Sequence, residues 1–384
     1  MELAQDLRTA APTSAPDRPW YAIDHLEQIA TPALAVYLDR VEHNLQQMIK
    51  IASGTSRLRP HVKTHKMAAL VHGQLAAGIT RFKCATIAEA EMCAQCGAAD
   101  VLLAHQPVGP GPTRLARLAQ LYPRTAFAAI VDDESVLRAL SAACAAAGVS
   151  LDVYLDLDNG MHRTGIPPGP QALALYHLIC HLPHLDPGGL HVYDGHIRDS
   201  DPLERTAHAE ADFAPVLEFR AELEAAGLPV PRVVAGGTPT FPIHARHRDR
   251  ECSPGTCIFW DMGYGTRFAE LPFLHAALVL SRVISKPSDH RVCLDAGYKA
   301  VAADPPLPRL HLFGLEGAQV LVHNEEHLAL ECPQAAGLRV GDLLYGVPQH
   351  ICPTCALHRE VLVVEKGAVV DRWEVTARDR CLTV

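Results

Sequence analysis

The chain has 384 residues, of which 48% are hydrophobic, and a formal net charge of −9. At roughly 150 residues per domain, this length can form one large core or two to three domains. Scattered basic residues exclude an obvious nucleic-acid surface, and the longest apolar runs are far shorter than the roughly 20 residues that span a bilayer, so neither nucleic acid nor a membrane is an expected partner.

Residues 1–30 form an N-terminal extension that contains Pro and Ser early and an amphipathic segment later. They hold no continuous apolar run before a small-residue cleavage site, so they do not resemble a signal peptide. The amphipathic segment could pack on either of the domains that follow. Twelve cysteines in a chain of this length are too sparse for a secreted disulfide scaffold, which predicts a cytoplasmic protein with reduced thiols.

From residue 31 onward, short apolar runs rich in β-branched residues alternate with amphipathic segments rich in Ala and Leu. Eight runs are candidate strands: ALAVYL (33–38), LRPHV (58–62), FKCAT (82–86), VLLA (101–104), AFAAIV (126–131), LDVYLDL (151–157), GLHVYDGHI (189–197) and RVVAGG (232–237). Short apolar strands joined by helices are typical of a buried parallel sheet. The pattern predicts an α/β fold, a (β/α)8 barrel of the TIM type over residues 31–269, with its functional site at the carboxyl ends of the strands.

The pattern changes after about residue 270. Segments such as HAALVLSRVIS, QVLVHNEEHLALE and REVLVVEKGAVVDRWEV indicate strands joined by turns, with few long helices. A second, mostly β domain is therefore predicted over residues 270–384.

The first polar cluster at a predicted strand end is RPHVKTHK (59–66). A lysine at the mouth of a barrel, here Lys63, must be neutral, paired or reactive, because desolvation lowers its pKa toward that of a nucleophilic amine. Two turns near the last strands, Gly237-Thr238 and Gly255-Thr256, could present backbone N–H groups to a phosphate. A lysine and a phosphate site suit pyridoxal phosphate held as a Schiff base. A solvated basic loop and two ordinary turns are the alternative.

A second candidate site is the segment PQHICPTCALH (348–358). It contains two histidines and two cysteines, at His350, Cys352, Cys355 and His358. A closed zinc site typically uses two ligand pairs separated by a loop, and these four lie too close together. On a segment predicted to be extended, His350 and Cys352 project from one face, and Pro353 then turns the chain. An open site of these two ligands is predicted; a structural zinc that uses the CxxC at 93–96, or unliganded buried cysteines, are the alternatives.

Seven motifs resemble those of a known family. In chain order they are RPHVKTHK, YLDLDNGMHRTGI, GLHVYDGHI, AGGTPT, LDAGYKA, NEEH and PQHICPT. Together they resemble the fold-type III pyridoxal-phosphate enzymes of the D-threonine aldolase and D-serine dehydratase group, which are relatives of alanine racemase. The resemblance covers the chain from about residue 31 to its end. It implies the same barrel and β domain, and a homodimer in which the β domain of one chain closes the barrel of the other.

The resemblance implies a role for each candidate residue. Lys63 would bind the cofactor covalently. Further cofactor contacts would come from Arg163, Tyr193, Gly237, Thr238, Gly255 and Thr256. The metal ligands would be His350 and Cys352, whose thiolate favours zinc, although manganese, magnesium or cobalt could also bind. His327 of NEEH would lie near the substrate. For Arg163 the alternative is a salt bridge to Asp156 or Asp158.

Three residues at the end of the seventh predicted strand compete for the role of general base. His196 is the main candidate, because a neutral imidazole suits proton transfer near pH 7. Asp194 stands where some D-threonine aldolases carry histidine. His191 should face the same side of the strand as Tyr193, because side chains alternate along a strand. The sequence leaves the choice among the three open.

The resemblance implies a lyase that acts on small D-β-hydroxy-α-amino acids, with two outcomes. An aldolase removes the hydroxyl proton and breaks the Cα–Cβ bond, which gives glycine and an aldehyde. A dehydratase that acts on D-serine or D-threo-3-hydroxyaspartate removes the α-proton and releases hydroxide, which gives a 2-keto acid and ammonia. The His-x-Cys pair favours the dehydratase, whereas PQHICPT and GAVVDRWEV favour the aldolase. Aldolase-like cleavage is predicted from the longer match; an amino-acid racemase, which needs two bases and no metal, is a further alternative.

Overall fold

The computed structural model describes residues 18–384. The strands are β1 (Ala33–Tyr37), β2 (Arg81–Cys84), β3 (Asp100–Leu103), β4 (Ala126–Val131), β5 (Leu151–Leu157), β6 (Leu185–Val192), β7 (Arg232–Ala235), β8 (Glu251–Cys252), β9 (Ala277–Ser288), β10 (Arg291–Leu294), β11 (Leu310–Leu312), β12 (Gln319–His323), β13 (Leu328–Glu331), β14 (Leu343–Pro348), β15 (Glu360–Glu365) and β16 (Ala368–Glu374).

The α-helices are α1 (Leu38–Ile51), α2 (Ala68–Ala76), α3 (Ile87–Gln95), α4 (Gly111–Leu121), α5 (Glu134–Ala147), α6 (Pro170–His181), α7 (Pro202–Ala225), α8 (Phe241–His244), α9 (Met262–Arg267) and α10 (Ile351–Leu357). Short 3-10 turns lie at Leu26–Gln28, Val62–Thr64, Thr256–Ile258, Pro333–Gly337 and Thr376–Arg378. None of the helices in residues 18–384 combines the length and the apolar character needed to cross a membrane.

A parallel barrel forms the first half of the fold. Strands β2 to β8 pair in sequence order, and helices connect most of them. Residues 58–61 close the barrel as its eighth strand: Arg59 N donates to Cys252 O at 2.9 Å, and Lys83 N donates to Pro60 O at 2.9 Å. The predicted (β/α)8 barrel followed by a mostly β region is confirmed.

One predicted barrel strand belongs elsewhere. The prediction that ALAVYL (33–38) starts the barrel is wrong, because β1 pairs antiparallel with β9 and parallel with β15 in the second sheet. The missing barrel strand is β8, which has only two residues and no apolar pattern of its own. An apolar run indicates burial but does not specify which strand lies beside it.

The second sheet has β9 at its centre, bonded to β1, β10 and β14. The described part of the N-terminal extension packs on this sheet, where Trp20, Tyr21 and Ile23 join a cluster that contains Tyr37 and Tyr345. Residues 1–17 of the predicted extension lie outside the described residues. Of its two possible positions, the described part therefore occupies the one on the β domain.

A charged cluster fills the amino-terminal end of the barrel. The Arg59 guanidinium is completely buried and donates to Asp100 at 2.6 and 2.8 Å and to Glu251 at 2.8 Å. Burial acts to lower the pKa of Arg59, but the two carboxylates raise it above its ordinary value. Arg81 and Arg232 flank the same carboxylates. Arg59 therefore stabilises the end of the barrel opposite to the one that carries Lys63.

Replacing Arg59 with Met should lower the free energy of unfolding by about 3–5 kcal/mol, because two buried carboxylates lose their buried partner. Arg138→Met is the matched control, since the pair of Arg138 with Glu134 is exposed on α5 and should contribute less than about 1 kcal/mol. Urea unfolding followed by circular dichroism measures both. Equal effects of the two substitutions would contradict the assignment.

Candidate active site

Lys63 lies in a 3-10 turn at the carboxyl end of the strand formed by residues 58–61. Two hydrogen bonds fix this turn: Lys63 N donates to His61 Nδ1 at 3.3 Å, and His61 N donates to Pro254 O at 2.9 Å. The Lys63 side chain is half-buried, and its amine has no hydrogen-bond partner among the described residues. The neighbouring Lys66, by contrast, pairs with the buried carboxylate of Glu89.

Three cationic side chains surround the ring of Tyr193, which directly follows β6. Lys63 Nζ and Lys83 Nζ each lie 5.8 Å from the ring centroid, and Arg163 Cζ lies 4.7 Å from it. The structure thus brings Lys63, Arg163 and Tyr193 together. Arg163 forms no salt bridge within residues 18–384, so the alternative role as a partner of a β5-end carboxylate is not observed.

The two predicted Gly-Thr turns face each other beside the lysine turn. Gly255 N and Thr256 N both donate to Thr238 Oγ1, at 3.1 and 3.2 Å. A Cβ added at Gly255 would lie 3.1 Å from His61 O and 3.1 Å from Thr64 Oγ1. Glycine therefore permits the close approach of the lysine turn to a cradle of two converging N–H groups. An anion bound in this cradle would replace Thr238 Oγ1 as their acceptor.

Asp194 is engaged in structural hydrogen bonds. Its buried carboxylate accepts from His244 Nε2 at 2.7 Å, Thr240 Oγ1 at 2.8 Å and Gly237 N at 3.2 Å. Burial acts to raise the pKa of Asp194, but these donors hold it below its ordinary value. Asp194 thus fastens the end of β6 to the turn before α8, and the Gly237 N–H that was predicted to face a phosphate already has an acceptor.

His191 lies inside the barrel rather than at its mouth. Its Nδ1 is 2.6 Å from Asp156 Oδ1, and its Nε2 is 3.4 Å from Lys83 Nζ. The Lys83 amine also donates to Ser253 Oγ at 2.5 Å. Burial and the nearby Lys63 lower the pKa of Lys83 to about 7. Lys83 was not among the predicted site residues, although strand alternation within FKCAT places its side chain on the face opposite to those of its apolar neighbours.

His196 has one open ring nitrogen. Its Nε2 lies 2.7 Å from Asp212 Oδ2 on α7, whereas its Nδ1 is buried and has no partner in the described part of the chain. His208 Nε2 approaches the same carboxylate at 3.3 Å. A Cβ at Gly160 would lie 2.8 Å from His196 Nε2, so the loop before Arg163 packs directly on the imidazole.

The predicted metal pair lies at the start of a helix. The expectation of an extended segment is wrong: His350 immediately precedes α10, and Pro353 occupies its first turn, where the missing N–H removes no helical hydrogen bond. Asp261 Oδ2 accepts from Ile351 N at 3.0 Å and holds the helix start. His350 and Cys352 nevertheless meet on one side.

The His350–Cys352 pair faces the lysine turn. Cys352 Sγ lies 3.3 Å from Thr64 Oγ1, and His350 Nδ1 lies 2.6 Å from Asp304 Oδ2. Burial lowers the pKa of His350, but Cys352 and Asp304 raise it to about 9. Burial raises the pKa of the Cys352 thiol, but His350 and Lys63 hold it below its ordinary value. An imidazole oriented by a carboxylate, next to a thiol that ionises easily, suits a zinc-like divalent cation.

The other cysteines and histidines of the segment point elsewhere. Cys355 is completely buried, and His358 Nε2 is hydrogen-bonded to Ala300 O at 2.9 Å. Within residues 18–384, the one group of three or more side chains that could jointly hold a metal is His196, His208 and Asp212, and it contains no cysteine. The structural zinc with the CxxC at 93–96 is therefore not formed by the described residues.

His327 lies on an exposed turn of the β region. Its carbonyl accepts from Asn324 N at 2.9 Å, while its side chain is exposed and makes no hydrogen bond with a described residue. The turn is held by Lys299, which pairs with Glu325 and Glu326. The structure does not bring His327 into contact with the other predicted site residues of the same chain.

Two family models together match most of the chain. The one described as "Alanine racemase, N-terminal domain" matches residues 36–262, and the one described as "Putative serine dehydratase domain" matches residues 276–364.

Curated relatives of similar length carry three names. The D-threonine aldolase of Arthrobacter sp is 32% identical over 361 residues, which are 92% of this chain and 94% of that protein. The 3-hydroxy-D-aspartate aldolase of Paracoccus denitrificans (strain Pd 1222) is 30% identical over 368 residues, 92% of this chain and 93% of that protein. The D-threo-3-hydroxyaspartate dehydratase of Delftia sp. (strain HT23) is 30% identical over 381 residues, 91% of this chain and 98% of that protein.

The solved structures similar to this chain also include an aldolase and a dehydratase. The D-threonine aldolase from Filomicrobium marinum superposes with a TM-score of 0.85 at 33% identity, over 95% of this chain and 99% of that one. The Delftia dehydratase superposes with a TM-score of 0.79 at 28% identity, over 91% of this chain and 98% of that one. A cysteine-to-alanine mutant of a D-threo-3-hydroxyaspartate dehydratase was solved in a metal-free form.

Asp194→Ala should lower the free energy of unfolding by about 3 kcal/mol or more, because several buried donors would lose their acceptor. Asp199→Ala is the control, because Asp199 lies in the same segment between β6 and α7 but its carboxylate is half-exposed. Its loss should lower the free energy of unfolding by less than about 1 kcal/mol. Chemical unfolding of both variants measures the difference. If Asp194→Ala were as stable as the wild type, the Asp194 carboxylate would have a role other than stabilising the fold.

Proposed function

Because the chain belongs to the alanine racemase-like family of D-threonine aldolases and D-threo-3-hydroxyaspartate dehydratases, we propose that it is a pyridoxal phosphate-dependent lyase of D-β-hydroxy-α-amino acids. One contact carries the proposal. Cys352 Sγ lies 3.3 Å from Thr64 Oγ1, so the metal pair of the β region adjoins the residue that follows the free amine of Lys63. An amine for the cofactor and ligands for a cation are thus neighbours.

Three observations support pyridoxal phosphate as the cofactor. The Lys63 amine has no hydrogen-bond partner among residues 18–384, two backbone N–H groups converge on Thr238 Oγ1, and the glycine at position 255 lets the lysine turn lie against these N–H groups. Lys63 would hold the cofactor covalently. Arg163, Tyr193 and the Gly237–Thr238 and Gly255–Thr256 turns would hold its ring and phosphate. When bound, the cofactor supplies an electron sink for the electron pair left at the substrate Cα.

His196 is the proposed acceptor of the substrate's hydroxyl proton. Asp212 accepts a hydrogen bond from Nε2, so in the neutral ring Nδ1 carries the lone pair. This lone pair is buried and unpartnered. Asp194 and His191, the competing residues, use their polar atoms in bonds to other side chains.

His350 and Cys352 are the proposed metal ligands, and Asp304 orients the imidazole. Thiolate favours zinc; manganese, magnesium or cobalt are alternatives. A cation bound there would lower the pKa of a substrate hydroxyl that coordinates it.

Of the two outcomes, we propose aldolase-like cleavage to glycine and an aldehyde, since two aldolases are 32% and 30% identical to this chain over 92% of its length. The second candidate is the dehydratase, in which Lys63 takes the α-proton and hydroxide leaves. The His-Cys ligand pair favours it, and the relative from Delftia with that activity is 30% identical.

The cellular setting is also a proposal. All twelve cysteines are unpaired, which fits the reducing cytoplasm. A homodimer would give the exposed His327 a site to reach, because its side chain touches no predicted site residue of its own chain.

The aldolase proposal predicts that the purified protein, loaded with cofactor and zinc or manganese, converts D-threonine to glycine and acetaldehyde and leaves L-threonine intact. Product identification by mass spectrometry, with D-serine and D-threo-3-hydroxyaspartate as parallel substrates, separates the outcomes. If a keto acid and ammonia are the sole products, the protein is a dehydratase. No turnover of any D substrate would contradict the proposal.

Cys352→Ala should reduce metal-dependent turnover by about 100-fold or more, because His350 alone binds a cation weakly. Metal content after dialysis should fall to background, while cofactor absorbance stays at the wild-type level. Cys355→Ala is the matched control: it removes a buried thiol one helical turn away and should retain metal and turnover. Equal metal content in the two variants would refute the site.

A further inference from the structure

Lys83 is a buried cation that the proposed reaction does not use. Its side chain points into the barrel from β2 and is only 2% exposed. It forms no ion pair with any carboxylate of residues 18–384; its partners are Ser253 Oγ at 2.5 Å and His191 Nε2 at 3.4 Å. Burying an ammonium without a carboxylate destabilises a fold by several kcal/mol. A bound group that compensates this cost would explain why the position is lysine.

The two partners of Lys83 are oriented so that each accepts a hydrogen bond from its ammonium group. Ser253 Oγ donates to Gly236 O at 2.9 Å, so its lone pairs face the amine. His191 Nδ1 bonds to the Asp156 carboxylate at 2.6 Å, so Nε2 carries the lone pair of the neutral ring. An ammonium has three N–H donors, and these two acceptors use two of them. One donor remains for a ligand.

The position of Lys83 relative to Lys63 indicates which group could accept the remaining hydrogen bond. Lys63 is half-buried at the mouth of the barrel, whereas Lys83 lies on the strand itself, and both amines are 5.8 Å from the Tyr193 ring. Ser253 also begins the turn that carries Gly255 and Thr256 of the anion cradle. In pyridoxal phosphate the ring nitrogen lies opposite the carbon that bears the aldehyde. A ring attached at Lys63 and anchored in the cradle would therefore turn its nitrogen toward the barrel interior.

We propose that the Lys83 ammonium donates a hydrogen bond to the pyridine nitrogen of the bound cofactor, with Ser253 and the His191–Asp156 pair as the residues that orient it. This inference rests on the proposed function. It assigns the deepest polar atom of the cofactor to a second lysine, and it leaves that nitrogen unprotonated, because Lys83 retains the shared proton.

The test compares Lys83→Met, Lys83→Gln and the exposed Lys50→Met as a control. The dissociation constant of pyridoxal phosphate, measured by fluorescence on the apo-proteins, should rise about tenfold or more in Lys83→Met, because a charge-assisted hydrogen bond is lost. Lys83→Gln, which keeps a donor, should recover part of the affinity. The 15N shift of labelled cofactor should move in Lys83→Met and stay unchanged in Lys50→Met.

Thermal unfolding of the apo-proteins separates this role from a structural one. The Lys83→Met apo-protein should unfold at a higher temperature than the wild type, because the buried unpaired ammonium is gone. A purely structural lysine predicts the opposite: a less stable apo-protein with unchanged cofactor affinity. Unchanged affinity and 15N shift with a raised KM for the amino acid would also overturn the proposal and assign Lys83 to the substrate.

The pH dependence of apo-protein stability gives an independent check. Folded Lys83 loses its proton near pH 7, whereas in the unfolded chain it does so near 10.5, so between these values the unfolded state binds more protons and stability rises with pH. The stability advantage of Lys83→Met should be largest below pH 7 and shrink toward pH 10. A constant difference would contradict a buried charge. The charged and titratable groups that act on Lys83 are His61, Lys63, Asp156, Arg163, His191 and Asp194.

A failure of the proposed pyridoxal phosphate-dependent function can be distinguished from a failure of the proposed Lys83 hydrogen bond. Borohydride reduction followed by peptide mapping should label Lys63 in the wild type. An unlabelled protein would refute the proposed cofactor, and a label on Lys83 would refute both assignments. A label on Lys63 with wild-type affinity in Lys83→Met would refute only the hydrogen bond.

Discussion

The hydrogen bonds that hold residues 58–61 between β8 and β2 determine the position of everything in the site. They close the barrel, and they set the Lys63 turn against the turn that carries Gly255. The fit is tight, because a Cβ at Gly255 would lie 3.1 Å from His61 O. Arg59 anchors the opposite end of the same short strand in a buried cluster of carboxylates. A stabilising charged cluster and the candidate cofactor lysine thus lie at the two ends of one segment.

The interior of the barrel is polar at the level of the site, and its polar groups differ in how fully they are paired. The Asp194 carboxylate has three donors and locks the β6 end to the turn before α8. Among residues 18–384, Lys83 has two acceptors and no carboxylate partner, and His196 has one ring nitrogen without a hydrogen bond. Buried polar groups are normally fully hydrogen-bonded, so Lys83 and His196 are candidates for contact with a ligand.

In the β region, the proposed metal ligands lie at the start of a helix. His350 precedes α10, Asp261 accepts the Ile351 N–H, and the first turn directs Cys352 toward Thr64. The thiol is more acidic than usual because His350 and Lys63 outweigh the effect of burial on its pKa. The two halves of the chain therefore meet through a contact between Cys352 of the proposed metal pair and Thr64, the residue that follows Lys63.

Sequence by itself determined the alternation of strands and helices and the mostly β second region, and it identified Lys63, His350 and Cys352 as candidate site residues, because periodicity and short motifs are local properties of the chain. Tertiary structure decided that β1 belongs to the second sheet, that residues 351–357 are helical, and that the Asp194 carboxylate accepts hydrogen bonds from Gly237, Thr240 and His244. The tertiary structure also places Lys83 within hydrogen-bond distance of Ser253. These features depend on partners distant in the chain, and hydrophobic periodicity specifies which face is buried but not what lies against it.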